Sequence, residues 1–223
     1  MKYAQIKGKL KNGQKLIQTP YVIAITGTPC TGKSTLAAEL AKQTGFKLVD
    51  GNQIIKRYGL TEGYDAKRKA KIVDDKRFSK AVVDFIMADF KKGNAKSNSS
   101  IGIYENKSKQ LQNSKFKVSG HVKGYIVDSH MSHFLSSNFV NLCLVTKISI
   151  KKLFKRLTSR YAGKNKPDKA SELKIRENLD SEILDICYTE ALERGHNVHV
   201  LDTGLKRPKT LVSEVLNHIK PTD

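Results

Sequence analysis

The stretch GTPCTGKST, residues 27–35, sits between the apolar run YVIAIT and the helix-like LAAELAK. It fits G-x-x-x-x-G-K-[ST], with a predicted strand before it and a predicted helix after it, which is the context this motif requires. Gly27 and Gly32 let the backbone turn tightly, so that successive amide hydrogens point into one concavity. The positive end of the following helix adds to the pull on anionic oxygens. In such a loop Lys33 reaches the β- and γ-phosphates of a nucleotide, and the Ser34 hydroxyl ligates Mg²⁺. The sequence therefore predicts a nucleotide-binding protein.

Around this loop, short apolar runs alternate with helical patterns, which predicts an α/β fold with a parallel sheet wrapped by helices. Strands are expected at 21–26, 46–50, 124–128, 141–146 and 197–202, each short and apolar enough to be covered on both faces. Helices are expected from the loop to Lys42, over 75–92, 149–160, 171–194 and 208–219. Phe78, Val82, Phe85, Ile86 and Phe90 form one stripe of the second. Ile175, Leu179, Ile183, Ile186 and Ala191 form the stripe of the long fourth one.

Lys plus Arg number 41 against 21 for Asp plus Glu, a formal charge of +20. Two readings stay open: a Lys-rich solvated surface, or attraction to a polyanion such as nucleic acid or a ribosomal surface. Two segments depart from the α/β rhythm. Residues 1–19 carry an Asn12-Gly13 pair between alternating residues, a hairpin signal. Residues 91–123 are polar, turn-rich and Lys-rich, with Glu105 their lone acid. They read either as a solubilising insertion or as an arm tracking a phosphate backbone, with Tyr104 and Phe116 available for stacking. No run of eighteen apolar residues predicts a membrane span. The N-terminus has no apolar signal region, and Cys30, Cys143 and Cys187 show no metal-ligand spacing. Reduced thiols in a cytoplasmic protein are expected.

The run GYIVDSH ends in Asp128, placed as the carboxylate that a metal-bound triphosphate needs at the end of a neighbouring strand. His130 follows, where it can orient or polarise a water. His133 has no comparable argument. Arg156 and Arg160 lie one turn apart on a predicted helix, followed by a Lys-, Gly- and Pro-containing loop and by Arg176. That pattern predicts a cationic lid over the transferring phosphate. NKPD, at 165–168, matches the guanine-reading N-K-x-D, but it follows a basic helix rather than a buried strand, and it reads as a decoy.

TGTPCTGKST, IVDSH, RLTSRY and KIRENLDSEI together resemble the adenylate-kinase-like proteins of the isoenzyme-six branch, over roughly residues 20–203. The resemblance implies a five-stranded parallel sheet and a core spanning 20–219. It implies combined ATP-dependent nucleoside monophosphate kinase and ATPase activity, with AMP as the favoured acceptor, and a role in maturation of the small ribosomal subunit. It also implies that Cys30, Gly32, Lys33, Ser34 and Thr35, in the loop opened by Gly27, hold ATP phosphates. Asp128 and His130 would serve Mg²⁺ and water activation, with Ser34 and Asp128 as the metal residues. Arg160 would be the lid arginine in a lid at 159–174, and 46–69 would hold the monophosphate-binding helices. The implied partners are a small-subunit ribosomal protein of the platform and pre-rRNA. Cys30 stands where the family has Gly, the lid is longer, and 1–19 and 91–123 are additions. An ATPase switch for assembly, or a nucleotide-dependent RNA-binding module, remain the alternative readings.

Overall fold

The computed structural model describes residues 19–95, 124–162 and 166–219. The expected hairpin at 1–18 lies outside the described residues, as does all of the basic insertion beyond residue 95. The central element is β1 (Tyr21–Thr26), whose residues from Val22 onward are fully buried. It pairs in parallel with β5 (Gly124–Asp128) on one side and β6 (Leu142–Lys147) on the other. Beyond these lie β2 (Lys47–Asp50) and β7 (Val198–Asp202), giving the five-stranded order β2-β5-β1-β6-β7, parallel throughout. The expected strands are thus all present, within a residue or so at each end.

Helices cover both faces, so the inner strands are apolar along their length and not alternating. One face is covered by α2 (Gly51–Arg57), α3 (Asp75–Ala95) and α6 (Ile186–Glu193), with Phe78, Val82, Ile86 and Phe90 of the α3 stripe in the core. The other is covered by α1 (Lys33–Thr44) and α7 (Pro208–Ile219), through Leu36, Leu40, Leu211 and Val215. A third cluster, Ile148, Leu153, Leu157 and Ile175, joins α4 (Ile150–Ala162) to α5 (Lys169–Ile183) beside the C-terminal edge of the sheet. Among the described residues, no helix is long and apolar enough to cross a membrane.

Two expectations are corrected. The single helix over 171–194 is broken: α5 ends at Ile183 and α6 begins at Ile186, with Asp185 between them in the left-handed region at φ 54°. Asp185 forms an ion pair with Lys147 at the end of β6, and the turn swings the apolar stripe out of register. Ile183 and Ile186 are accordingly exposed, at 60% and 38%, while Glu182 is buried. The second correction concerns 46–69. After α2 the chain forms an antiparallel hairpin, β3 (Thr61–Asp65) with β4 (Ala70–Val73), and not a further helix. Its turn is closed by the Asp65 carboxylate, which accepts from the Arg68 amide at 2.9 Å, a side-chain turn of the kind Asp favours.

Phe78 is completely buried under the sheet. Phe78→Ala is expected to cost about 3–5 kcal/mol. Chemical denaturation would show this as a lowered midpoint with an unchanged slope.

Candidate phosphate-binding site

The loop leaves β1 at the centre of the sheet, where two neighbours crowd it. Gly27 has φ 134°, and a Cβ there would lie 2.5 Å from the Thr146 carbonyl oxygen and 2.6 Å from its hydroxyl. Both the angle and the space demand glycine. Gly32, at φ 99°, is the N-cap of α1 and offers no side-chain cap, and the first turn of α1 holds no acid. The first amides of α1 and its positive end are therefore left for an anion.

The Lys33 ammonium is nearly buried and donates to the carbonyls of Gly27 at 2.7 Å and Thr28 at 2.8 Å. Burial pushes its pKa down to about 8, against the opposing pull of Asp128. An anion brought to the loop favours the charged form and raises this pKa again. Asp128 closes β5 in register with Ile25 of β1 and with Asp50 of β2. Burial raises its carboxyl above the usual range, while a hydrogen bond with the Ser34 side chain and the charge of Lys33 pull the other way. Ser34 and Asp128 are thus adjacent oxygen donors, the hard-ligand pair that suits Mg²⁺. Among the described residues, no group of three or more His, Cys, Asp or Glu could hold a metal.

His130 keeps solvent contact at the mouth of the site. Protein close to its ring, and then the charges of Lys33, His133 and Arg160, lower its pKa from the ordinary imidazole value. Arg156 and Arg160, both exposed on α4, reach the loop through Cys30. Arg156 donates to the Cys30 carbonyl at 3.1 Å, and Arg160 lies 3.8 Å from its sulfur. Cys30 itself is left-handed at φ 70°, a conformation that glycine adopts without strain. Thr35 is exposed in the first turn of α1. Arg176 is exposed on α5, 3.9 Å from Asp180. Asp168 of the NKPD stretch is the N-cap of α5 and pairs with Lys69 at 2.8 Å, which agrees with reading that motif as a decoy.

Several contributors escaped the sequence reading. Asp50 stands beside Asp128, raising its pKa, and caps α2 by accepting from the Asn52 amide at 2.8 Å. His133 is buried, its ring 2.7 Å from the Thr26 hydroxyl and 2.7 Å from Glu190, so it ties the end of β1 to α6. Thr31 and Thr146 hydroxyls meet at 2.6 Å, and the Thr203 hydroxyl donates to the Thr31 carbonyl. Glu182 accepts from the Thr28 hydroxyl at 2.6 Å. Only the spacing from Glu177 to Glu182 in KIRENLDSEI signalled the last of these, since the others require knowing which strands are neighbours.

A parallel sheet with a Gly-rich loop leaving its central strand for a helix defines the P-loop class, here in the arrangement of the nucleoside monophosphate kinases. A sugar kinase from Janibacter sp. shares the fold with a TM-score of 0.51 at 15% identity, over 89% of this chain and 93% of that one. The AAA domain family matches residues 23–185. A putative adenylate kinase from Methanosarcina mazei is 30% identical over 203 residues, 89% of this chain and 88% of that protein. An adenylate kinase isoenzyme 6 homolog from Schizosaccharomyces pombe is 29% identical over 171 residues, 77% of this chain and 74% of that protein. The chain belongs to the AAA domain family and, within it, to the adenylate kinase isoenzyme-six-like proteins.

Gly27→Ala is expected to destabilise the fold by about 2 kcal/mol or more, because the clashing Thr146 oxygen is backbone and cannot turn aside. Thermal unfolding checks this.

Proposed function

We propose that this protein is an ATP-dependent nucleoside monophosphate kinase, with AMP as acceptor (ATP + AMP → 2 ADP), and that it also hydrolyses ATP. The observation that carries the reading is the meeting of Lys33, Ser34 and Asp128 under an uncapped helix N-terminus, with Arg156 and Arg160 alongside. ATP phosphates would lie along 27–35, held by the loop amides, Lys33 and Thr35. Ser34 and Asp128 would hold Mg²⁺, which supplies charge neutralisation on the phosphates. Lys33 would stabilise charge developing between the β- and γ-phosphates. Arg160 would close over the transferring group from a lid spanning 159–174, and 46–69 with its hairpin would hold the acceptor. The names of the relatives support the choice of a nucleotide acceptor.

One observation favours a second reading, an ATPase switch that assists assembly. His130 is exposed two residues beyond Asp128 at the exit of β5, where an imidazole can orient an attacking water. Family resemblance and the +20 charge support a setting in small-ribosomal-subunit maturation, with a platform protein and pre-rRNA as partners in the cytoplasm.

A time course of ATP, ADP and AMP with Mg²⁺, with and without AMP, tests the reading. The expected result is two ADP formed per AMP consumed, slowed about 10²-fold or more by Lys33→Ala. Equal release of ADP and phosphate, unaffected by AMP, would replace the kinase by the ATPase switch. The alternative RNA-binding module would gain only from intact ATP binding without any turnover.

A further inference from the structure

Helix α5 touches both sides of the site. From its N-cap to mid-helix it holds the tip of the β3–β4 hairpin. Arg68 Nε donates to the two Glu177 carboxylate oxygens at 2.9 and 3.1 Å, and its NH2 group lies 2.7 Å from Glu177 Oε1. The NH1 group of Arg68 donates to Asp65 at 2.7 Å, bracing the same guanidinium from the hairpin side. Lys69 donates to Asp168 at 2.8 Å, and Lys174 donates to the Lys69 carbonyl at 3.0 Å.

At its other end α5 carries Glu182. This carboxylate is buried, yet its two donors are neutral: the Thr28 hydroxyl at 2.6 Å and the Ile148 amide at 3.0 Å. A buried carboxyl group needs a partner for each oxygen, and these two donors supply one apiece. What Glu182 adds is a hold on one residue, Thr28, whose carbonyl accepts from Lys33 Nζ at 2.8 Å, from the Thr31 hydroxyl at 2.8 Å and from the Thr31 amide at 3.3 Å. Thr28 thus links Glu182 of α5 to the Lys33 ammonium. Ile175 of α5 packs with Leu153 and Leu157 of the arginine-bearing helix α4.

We propose that Glu182 is a positioning residue through which α5 couples the hairpin to the phosphate loop. With the hairpin latched by Arg68–Glu177, α5 sets Glu182 against Thr28 and thereby fixes Lys33 for the nucleotide. With the latch open, α5 has slack and the loop loosens. The proposal rests on the reading that ATP binds at 27–35, but not on which acceptor is phosphorylated.

The test measures affinity of the full chain for the β,γ-imido analogue of ATP with Mg²⁺, by calorimetry. The variants are Arg68→Glu, Glu177→Arg, their double exchange, and Glu182→Gln with and without Arg68→Glu. Exposed ion pairs are individually weak, so Arg68→Glu is expected to weaken binding about three- to fivefold. The double exchange should return affinity to within about twofold of the wild type, and Arg68→Glu should add nothing further once Glu182→Gln is present. An unchanged affinity in Arg68→Glu, or the same loss with and without Glu182→Gln, would overturn the coupling. Should Glu182→Gln fail to fold, Thr28→Val breaks the same hydrogen bond from the loop side and takes its place in the cycle. Wild-type protein that binds no analogue would sink both this proposal and the nucleotide reading. Binding without AMP phosphorylation would remove the kinase alone and leave the coupling to be judged by the same cycle.

Discussion

The approach of Gly27 to Thr146 governs how the rest of the molecule can be built. β1 is buried on both faces and flanked by β5 and β6, so the chain that leaves it has no free side on which to turn. It turns against β6, within a distance that forbids a Cβ, and re-enters as α1 only after Gly32 reverses it again. Threonine hydroxyls take up the polar groups this leaves inside: Thr31 with Thr146, Thr203 with the Thr31 carbonyl, and Thr26 with His133. Each bond comes from a different strand or strand exit, so the loop's shape is a property of the whole sheet edge.

That geometry also sets the electrostatics. Lys33 is held nearly buried between two loop carbonyls, and Asp128 is held partly buried beside Ser34, so burial shifts both away from their charged forms. An anion and a divalent cation arriving together would supply each with the missing opposite charge. The surrounding residues agree in sign: α1 opens without an acid in its first turn, and α4 presents Arg156 and Arg160 to the loop. Asp50 is the exception, a second carboxylate next to Asp128, and it is held there by its capping bond to α2.

The two segments that depart from the sequence pattern do so for different reasons. The stripe over 171–194 is periodic enough for one helix, but Lys147 lies where it can pair with Asp185, and Thr28 lies where it can bond to Glu182. Those tertiary contacts outweigh a helix propensity of a few tenths of a kcal/mol per residue. The β3–β4 hairpin is mostly exposed on both faces, so it carries no alternation of apolar residues to announce it. His133 was likewise silent, because a histidine joining β1 to α6 has meaning only when those elements are adjacent.

From its order of residues alone, the chain determined the parallel α/β layout, the five strands, the loop at 27–35 and the candidates Lys33, Ser34, Asp128, His130 and Arg160. These depend on local pattern: buried strands are continuous apolar runs, and a phosphate loop needs its glycines at fixed spacing. Tertiary structure alone decided that Asp50 stands beside Asp128 and that Arg156 and Arg160 reach the loop through Cys30. It also decided that one helix becomes two, with Glu182 turned inward to Thr28. The reason is physical. A hydrogen bond or ion pair between residues a hundred or more positions apart has no local signature, and it exists only once the sheet has brought its strand ends together.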